Sequence, residues 1–116
     1  MALFLDARVK LRIGTLGGAG PTDALLVEGK VSLPAGTPYV RFVLPAATAH
    51  AIGCACCLPR GPVAEALSLL FLQRVRGEVA HFDEILAVPA GAAGEAAIRA
   101  ALQNDPVVSA RFRLVE

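Results

Sequence analysis

Gly53-Cys54-Ala55-Cys56-Cys57-Leu58-Pro59-Arg60-Gly61-Pro62-Val63-Ala64-Glu65-Ala66-Leu67 is the stretch on which the reading of this chain turns. It sets all three cysteines of the protein directly ahead of the clearest helical pattern. Cysteines one and two positions apart close almost no loop, so a disulfide between them would gain little unfolded-state entropy. Thiols gathered on one turn suit instead the soft ligand set of a single metal ion. The other reading is a group of small buried thiols, because free Cys packs as a minor hydrophobe. Closed structural zinc sites usually take about four protein ligands. His50, four residues ahead of Cys54, is the candidate to join Cys54, Cys56 and Cys57. A histidine alone in a loop is more often an ordinary polar residue, and that alternative stands beside the ligand role.

Working outward from the cysteines, the spacing predicts a helix over residues 61–76. Pro62 suits the first helical position and Gly77 the residue just past the end. Val63, Ala66, Leu67, Leu70, Phe71 and Val75 form one apolar stripe, read as core, with Glu65, Ser68, Gln73 and Arg76 away from it. The helix N-terminus lies close behind Cys57, where its dipole favours thiolate over thiol. Further on, residues 82–88 read as a short apolar strand of a parallel sheet. Residues 93–104 read as an alanine-rich helix, and residues 111–115 as a last short strand. His81 reads as a surface or loop-anchoring residue before it reads as a ligand.

The quoted stretch resembles the GCxCC segment of CobW-type P-loop GTPases and metallochaperones, with the helix that follows it. The likeness continues through Phe82-Asp83-Glu84-Ile85-Leu86, similar to the family's strand beginning Phe-Asp. It extends to Asn104-Asp105-Pro106-Val107 and Ala110-Arg111-Phe112-Arg113-Leu114, so that residues 50–115 follow the family in order and spacing. The resemblance implies a metal-handling cysteine loop, and places a phosphate-binding loop at residues 14–22.

That loop has the glycines but not the chemistry. A working P-loop needs Gly-Lys-Ser/Thr: backbone N–H groups cradle the phosphates, lysine neutralises them and the hydroxyl holds magnesium. Here Pro21 stands in the lysine position, removing a charge and a backbone donor, and Asp23 follows where phosphates would sit. Thr22 alone keeps its role available, and a glycine-rich turn is the preferred reading. The family's strand ends in Glu-Thr-Thr-Gly, whereas this chain has Val88-Pro89-Ala90-Gly91. The guanine-reading Asn-Lys-x-Asp does not occur in the sequence. Phosphoryl transfer depends on positioning and charge neutralisation, so these departures imply a chain that neither binds nucleotide nor hydrolyses GTP. Anion binding at the glycine loop is kept as a weaker possibility.

The N-terminal half is less regular. Val9, Leu11 and Ile13 alternate with Lys10 and Arg12 within residues 2–13, which read as one or two strands. A strand of a parallel sheet buried on both faces would be apolar throughout, so this one lies either at an edge or on a sheet with one face uncovered. Residues 23–28 are a helix by family likeness, with Thr22 as N-cap. Residues 25–33 also read as a strand, which residues 34–38 would turn into a second strand at 39–44. The β-branched and aromatic residues around an explicit turn signal favour this hairpin.

Composition bounds the rest. The 116 residues fit a single domain, residues 1–116. With 55% hydrophobic but 5% aromatic residues, the core must be built mainly of Ala, Val and Leu. A net charge of +1 with no basic run argues against a nucleic-acid partner. No apolar stretch approaches a membrane span, and Asp6 interrupts residues 1–5 before they could form a signal-peptide core. Thiols suited to metal rather than to disulfides point to the cytoplasm. The expected fold is α/β: one small domain, a mostly parallel or mixed sheet of about five strands, main helices at 61–76 and 93–104, and an N-terminal hairpin. The expected function is non-catalytic binding of zinc or a similar transition metal, for storage or delivery to a receiving protein. The alternative is an interaction module that dimerises through a sheet face its helices leave uncovered.

Overall fold

In the computed structural model, which describes residues 7–44 and 61–115, Val9–Ile13 forms strand β1. Strands β2 (Asp23–Glu28) and β3 (Tyr39–Phe42) follow, then helix α1 (Pro62–Val75) and strand β4 (Glu84–Val88). Helices α2 (Ala92–Asn104) and α3 (Pro106–Arg111) lead into β5 (Phe112–Leu114). All five strands pair in parallel in one sheet, ordered β3-β2-β4-β1-β5. The two long helices fall where the sequence predicts them within a residue, whereas α3 is an additional element. Asp105 makes that short helix: its carboxylate accepts from the N–H groups of Val107 (2.9 Å) and Val108 (3.1 Å), and Pro106 opens the first turn.

The hairpin is overturned. β3 pairs with β2 in parallel, with Leu25 opposite Tyr39 and Glu28 opposite Phe42. The helix that family likeness suggests for 23–28 is a strand instead. Ala24, Leu25, Leu26 and Val27 are all completely buried, which only a strand covered on both faces allows in consecutive positions. Gly29 (φ 81°) ends β2, and Gly36 (φ 82°) shapes the turn that the prolines announce. That turn reverses the chain only locally, inside a ten-residue return from the end of β2 to the start of β3. Ten residues reach up to ~35 Å, while stepping back along a four-residue strand takes about 13 Å. A parallel connection therefore fits without a helix.

β1 is not an edge strand either, since β4 and β5 flank it. Its alternation marks two different sheet faces. Val9 and Leu11 join Ala24, Leu26, Val40, Phe42, Ile85 and Ala87 beneath the helices, packed against Val63, Leu67, Leu70, Ile98 and Val108. Phe71 of α1 meets Phe112 edge-on, ring centroids 5.9 Å apart, with the Arg111 guanidinium 4.3 Å from the Phe71 ring. On the opposite face Leu25, Val27 and Leu86 are buried by Leu16, Ala19 and Leu33 from the two crossover loops, 14–22 and 29–38. Two long helices do leave a second face, as the element count implies, but loops cover its apolar centre.

Handedness explains the division. From β1 to β2 to β3 the chain moves towards one end of the sheet, and from β3 to β4 to β5 towards the other. Crossovers of one constant hand must then lie on opposite faces for the two directions. The loops lie on one face and the helices on the other. α1 closes with Gly77 at φ 71°: Gly77 N–H donates to Arg74 O (3.2 Å) and Glu78 N–H to Gln73 O (2.8 Å), satisfying carbonyls of the last turn.

Candidate functional site at the carboxyl edge of the sheet

Sheets with crossovers on both faces bind ligands at the carboxyl ends of their strands, where the winding reverses. Here such points lie on both sides of β4, whose chain leaves over the helix face while those of its neighbours β1 and β2 leave over the loop face. Gly14 and the 89–91 turn border the crevice. Gly14 N–H continues the ladder to Ala87 O (3.0 Å), and a Cβ at Gly14 would stand 3.2 Å from Leu86 Cδ1. The glycine lets the backbone pass close to the Leu86 side chain.

The amino end of α2 faces the same edge, and a helix start is a natural place for an anion. It already has one. Glu28, at the end of β2, accepts from Ala90 N–H at 2.7 Å, and its carboxylate lies so close over Gly94 that a Cβ there would overlap it. Gly91, at the N-cap, has no side chain to offer, and the Glu28 carboxylate takes the N–H just ahead of it and lies over the first turn. Alanine at 94 should therefore cost about 1 kcal/mol more with Glu28 present than in a Glu28→Ala background. Denaturant unfolding of the two single variants and the double variant reads this coupling. Strict additivity would show that the carboxylate does not sit on the helix start.

Residues 14–22 behave as a crossover rather than a phosphate cradle. They lead from the carboxyl end of β1 to the amino end of β2, with a 3-10 turn at Leu16–Gly18, and enter no helix. Asp23, expected where phosphates would sit, opens β2 at the opposite edge of the sheet. There it is buried and receives Arg12 from β1: Nη2 to Oδ2 is 2.6 Å and Nη1 to Oδ1 is 3.4 Å. Arg12 Nη2 also donates to Gly18 O (2.9 Å), and Gly20 N–H donates to Asp23 Oδ2 (2.7 Å). Glu84 lies 3.6 Å from Arg12 Nη1. The Arg12 hydrogen bond, then the Gly20 N–H and the guanidinium charge, hold the Asp23 carboxyl below the usual carboxylate range despite its desolvation. Asp23 in turn raises the Arg12 pKa. This cluster pins the crossover to the sheet. Thr22, the hydroxyl that the resemblance would leave available to a phosphate loop, is exposed, and its carbonyl accepts from Asp83 N–H (2.9 Å).

Cys54, Cys56, Cys57 and His50 lie outside the described residues. His81 is exposed, with Nε2 2.8 Å from Asp83 Oδ1. Among the described residues no group of three or more His, Cys, Asp and Glu side chains is placed to hold a metal ion. Nor, among them, is any helix long and apolar enough to cross a membrane. The roles of Glu28, Arg12 and Asp23 are ones that sequence reasoning misses. Each is an acidic or basic residue in an apolar run, a signal that a partner exists, but the partner follows only from the strand order. Comparisons with protein families, with curated proteins and with solved structures find no match for the chain.

Proposed function

We propose that this chain is a non-catalytic, cytoplasmic metal-binding protein that holds zinc or a similar soft-accepting ion through Cys54, Cys56 and Cys57, with His50 as the candidate fourth ligand. The observation that carries the reading is the gathering of every thiol of the chain within four positions. Three thiolates leave one coordination position for His50 or for a ligand of the receiving protein, and exchange between the two suits delivery better than a permanent structural role. Thiols kept for a metal also require a reducing compartment. The likeness of residues 53–67 to the CobW-type cysteine segment supports the same role. The absence of nucleotide chemistry is supported by Glu28 on the start of α2 and by the use of residues 14–22 as a crossover.

The test is the metal content of protein purified without chelator, beside a Cys54→Ser/Cys56→Ser/Cys57→Ser variant. About one equivalent of metal, lost in the variant, and zinc affinity tighter than micromolar are expected. Trace metal and weaker zinc binding would overturn the reading. A second reading, a module that works by association, is favoured by the apolar outer face of α1, where Leu69, Leu72 and Val75 are exposed.

A further inference from the structure

A helix packed on a sheet ordinarily buries one stripe and presents polar residues to water. α1 departs from this. Its inner side, with Val63, Leu67 and Leu70, is fully used in the core, yet Leu69 is 52% exposed, Leu72 40% and Val75 64% on the outside. The outward positions of α2, by contrast, carry the small side chains of Ala93, Ala96 and Ala100. Leu69 and Leu72, three residues apart, therefore share one outward face of α1, with Val75 exposed to its side.

The order of residues along that face is informative. Glu65, Leu69, Leu72 and Arg76 follow one another at intervals of four, three and four, which places them in a single row. Glu65 and Arg76 are both exposed, and they close the row with opposite charges at its two ends. The row is symmetric about its midpoint, between Leu70 and Phe71. A second helix laid against it antiparallel sets Leu69 on Leu72 of the other copy, twice, and Glu65 beside Arg76 of the other copy, twice. A parallel helix would set acid on acid and base on base. Such self-complementarity is what a two-fold interface between identical chains requires.

We infer that a second copy of this chain docks on the outer face of α1, antiparallel across a two-fold axis, with Leu69 and Leu72 at its centre and Glu65–Arg76 ion pairs at both ends. This deepens the association reading and names its surface, which is the helix rather than the loop-covered sheet face. It does not involve the cysteines.

The experiment is sedimentation of the full chain with chelator present, across micromolar to hundreds of micromolar concentrations. A dimer is expected, and Leu69→Ser/Leu72→Ser should make it monomeric while leaving the far-UV circular-dichroism spectrum of the folded chain in place, since neither side chain belongs to the buried core. Glu65→Arg and Arg76→Glu should each weaken the dimer by roughly tenfold, two pairs turning repulsive at once. Combining the two reversals should restore it. A monomeric wild type would overturn the proposal, as would a dimer indifferent to the leucine pair. A charge double reversal that fails to rescue would overturn the antiparallel register. A dimer that forms only with added zinc would also overturn it, while leaving the metal reading intact. Metal content measured on the same samples keeps the two readings separable.

Discussion

Arg12→Met should lower the stability of the fold by about 2–3 kcal/mol, although Arg12 is a strand residue with part of its side chain in water. The loss comes from what is left behind. Asp23 is 5% exposed, and without the guanidinium it keeps one donor, Gly20 N–H, for a buried carboxylate. Breaking a buried pair by removing one member typically costs about 3–5 kcal/mol, and the partial exposure of Arg12 places this pair below the middle of that range. Arg12 also holds Gly18 O, so the 14–22 crossover loses a tether at the same time. The pH dependence has a definite sign. Asp23 has a depressed pKa in the folded state, so its contribution is present above the unfolded carboxylate value near ~4 and is lost as pH falls through the folded value. Wild type should therefore lose more stability than Asp23→Asn on going from neutral pH to about pH 2. Urea unfolding of both proteins across that interval checks it; parallel curves would mean that the carboxylate is not held by Arg12.

Leu86→Ala should be as costly, at about 2–4 kcal/mol, and it decides whether the second sheet face is bare or covered. On a bare face, truncating an exposed leucine would change stability little, and would even remove a hydrophobic liability. Leu86 is 1% exposed beneath Leu16 and Ala19, beside Leu25 and Val27, so its removal opens a cavity that two short loops can fill only in part. Thermal or chemical unfolding gives the value directly. A loss under about 0.5 kcal/mol would mean that the loops do not pack on the sheet as described.

Much of the second half of the chain is legible in its residues alone. Pro62 and Gly77 bound α1 by elementary backbone preferences, and the apolar run of β4 could belong only inside a parallel sheet. The apolar stripe of α1 matches the core on its inner side and departs from it at Val75, which is exposed: near the end of a helix a short drift in phase carries a side chain from core to solvent. The N-terminal half misleads because its local signals are strong and the deciding one is not local. Residues 34–38 do make a turn, and the segments beside it are strands, but two strands joined through a turn lie antiparallel only if nothing sends the chain back across the sheet first. Leu25 and Val27, buried on the face opposite Ala24 and Leu26, carry that information, and it cannot be read until the strand order is known. The Glu28 contact at the start of α2 is hidden for the same reason, its partners standing 62 positions apart in the chain.

The place of β4 in the sheet has a consequence for how this molecule is made. β1 and β2 are consecutive in the chain but never touch as a ladder, because β4 lies between them, with Lys10 and Asp23 both in register with Glu84. A ribosome that has released β1, β2 and β3 has thus delivered two ladder halves with a gap where their common partner belongs. They must wait for that partner, exposed, until more of the chain emerges. The assembly should be slow for its size and sensitive to holdase chaperones, since its keystone is made only after β1, β2, β3 and α1.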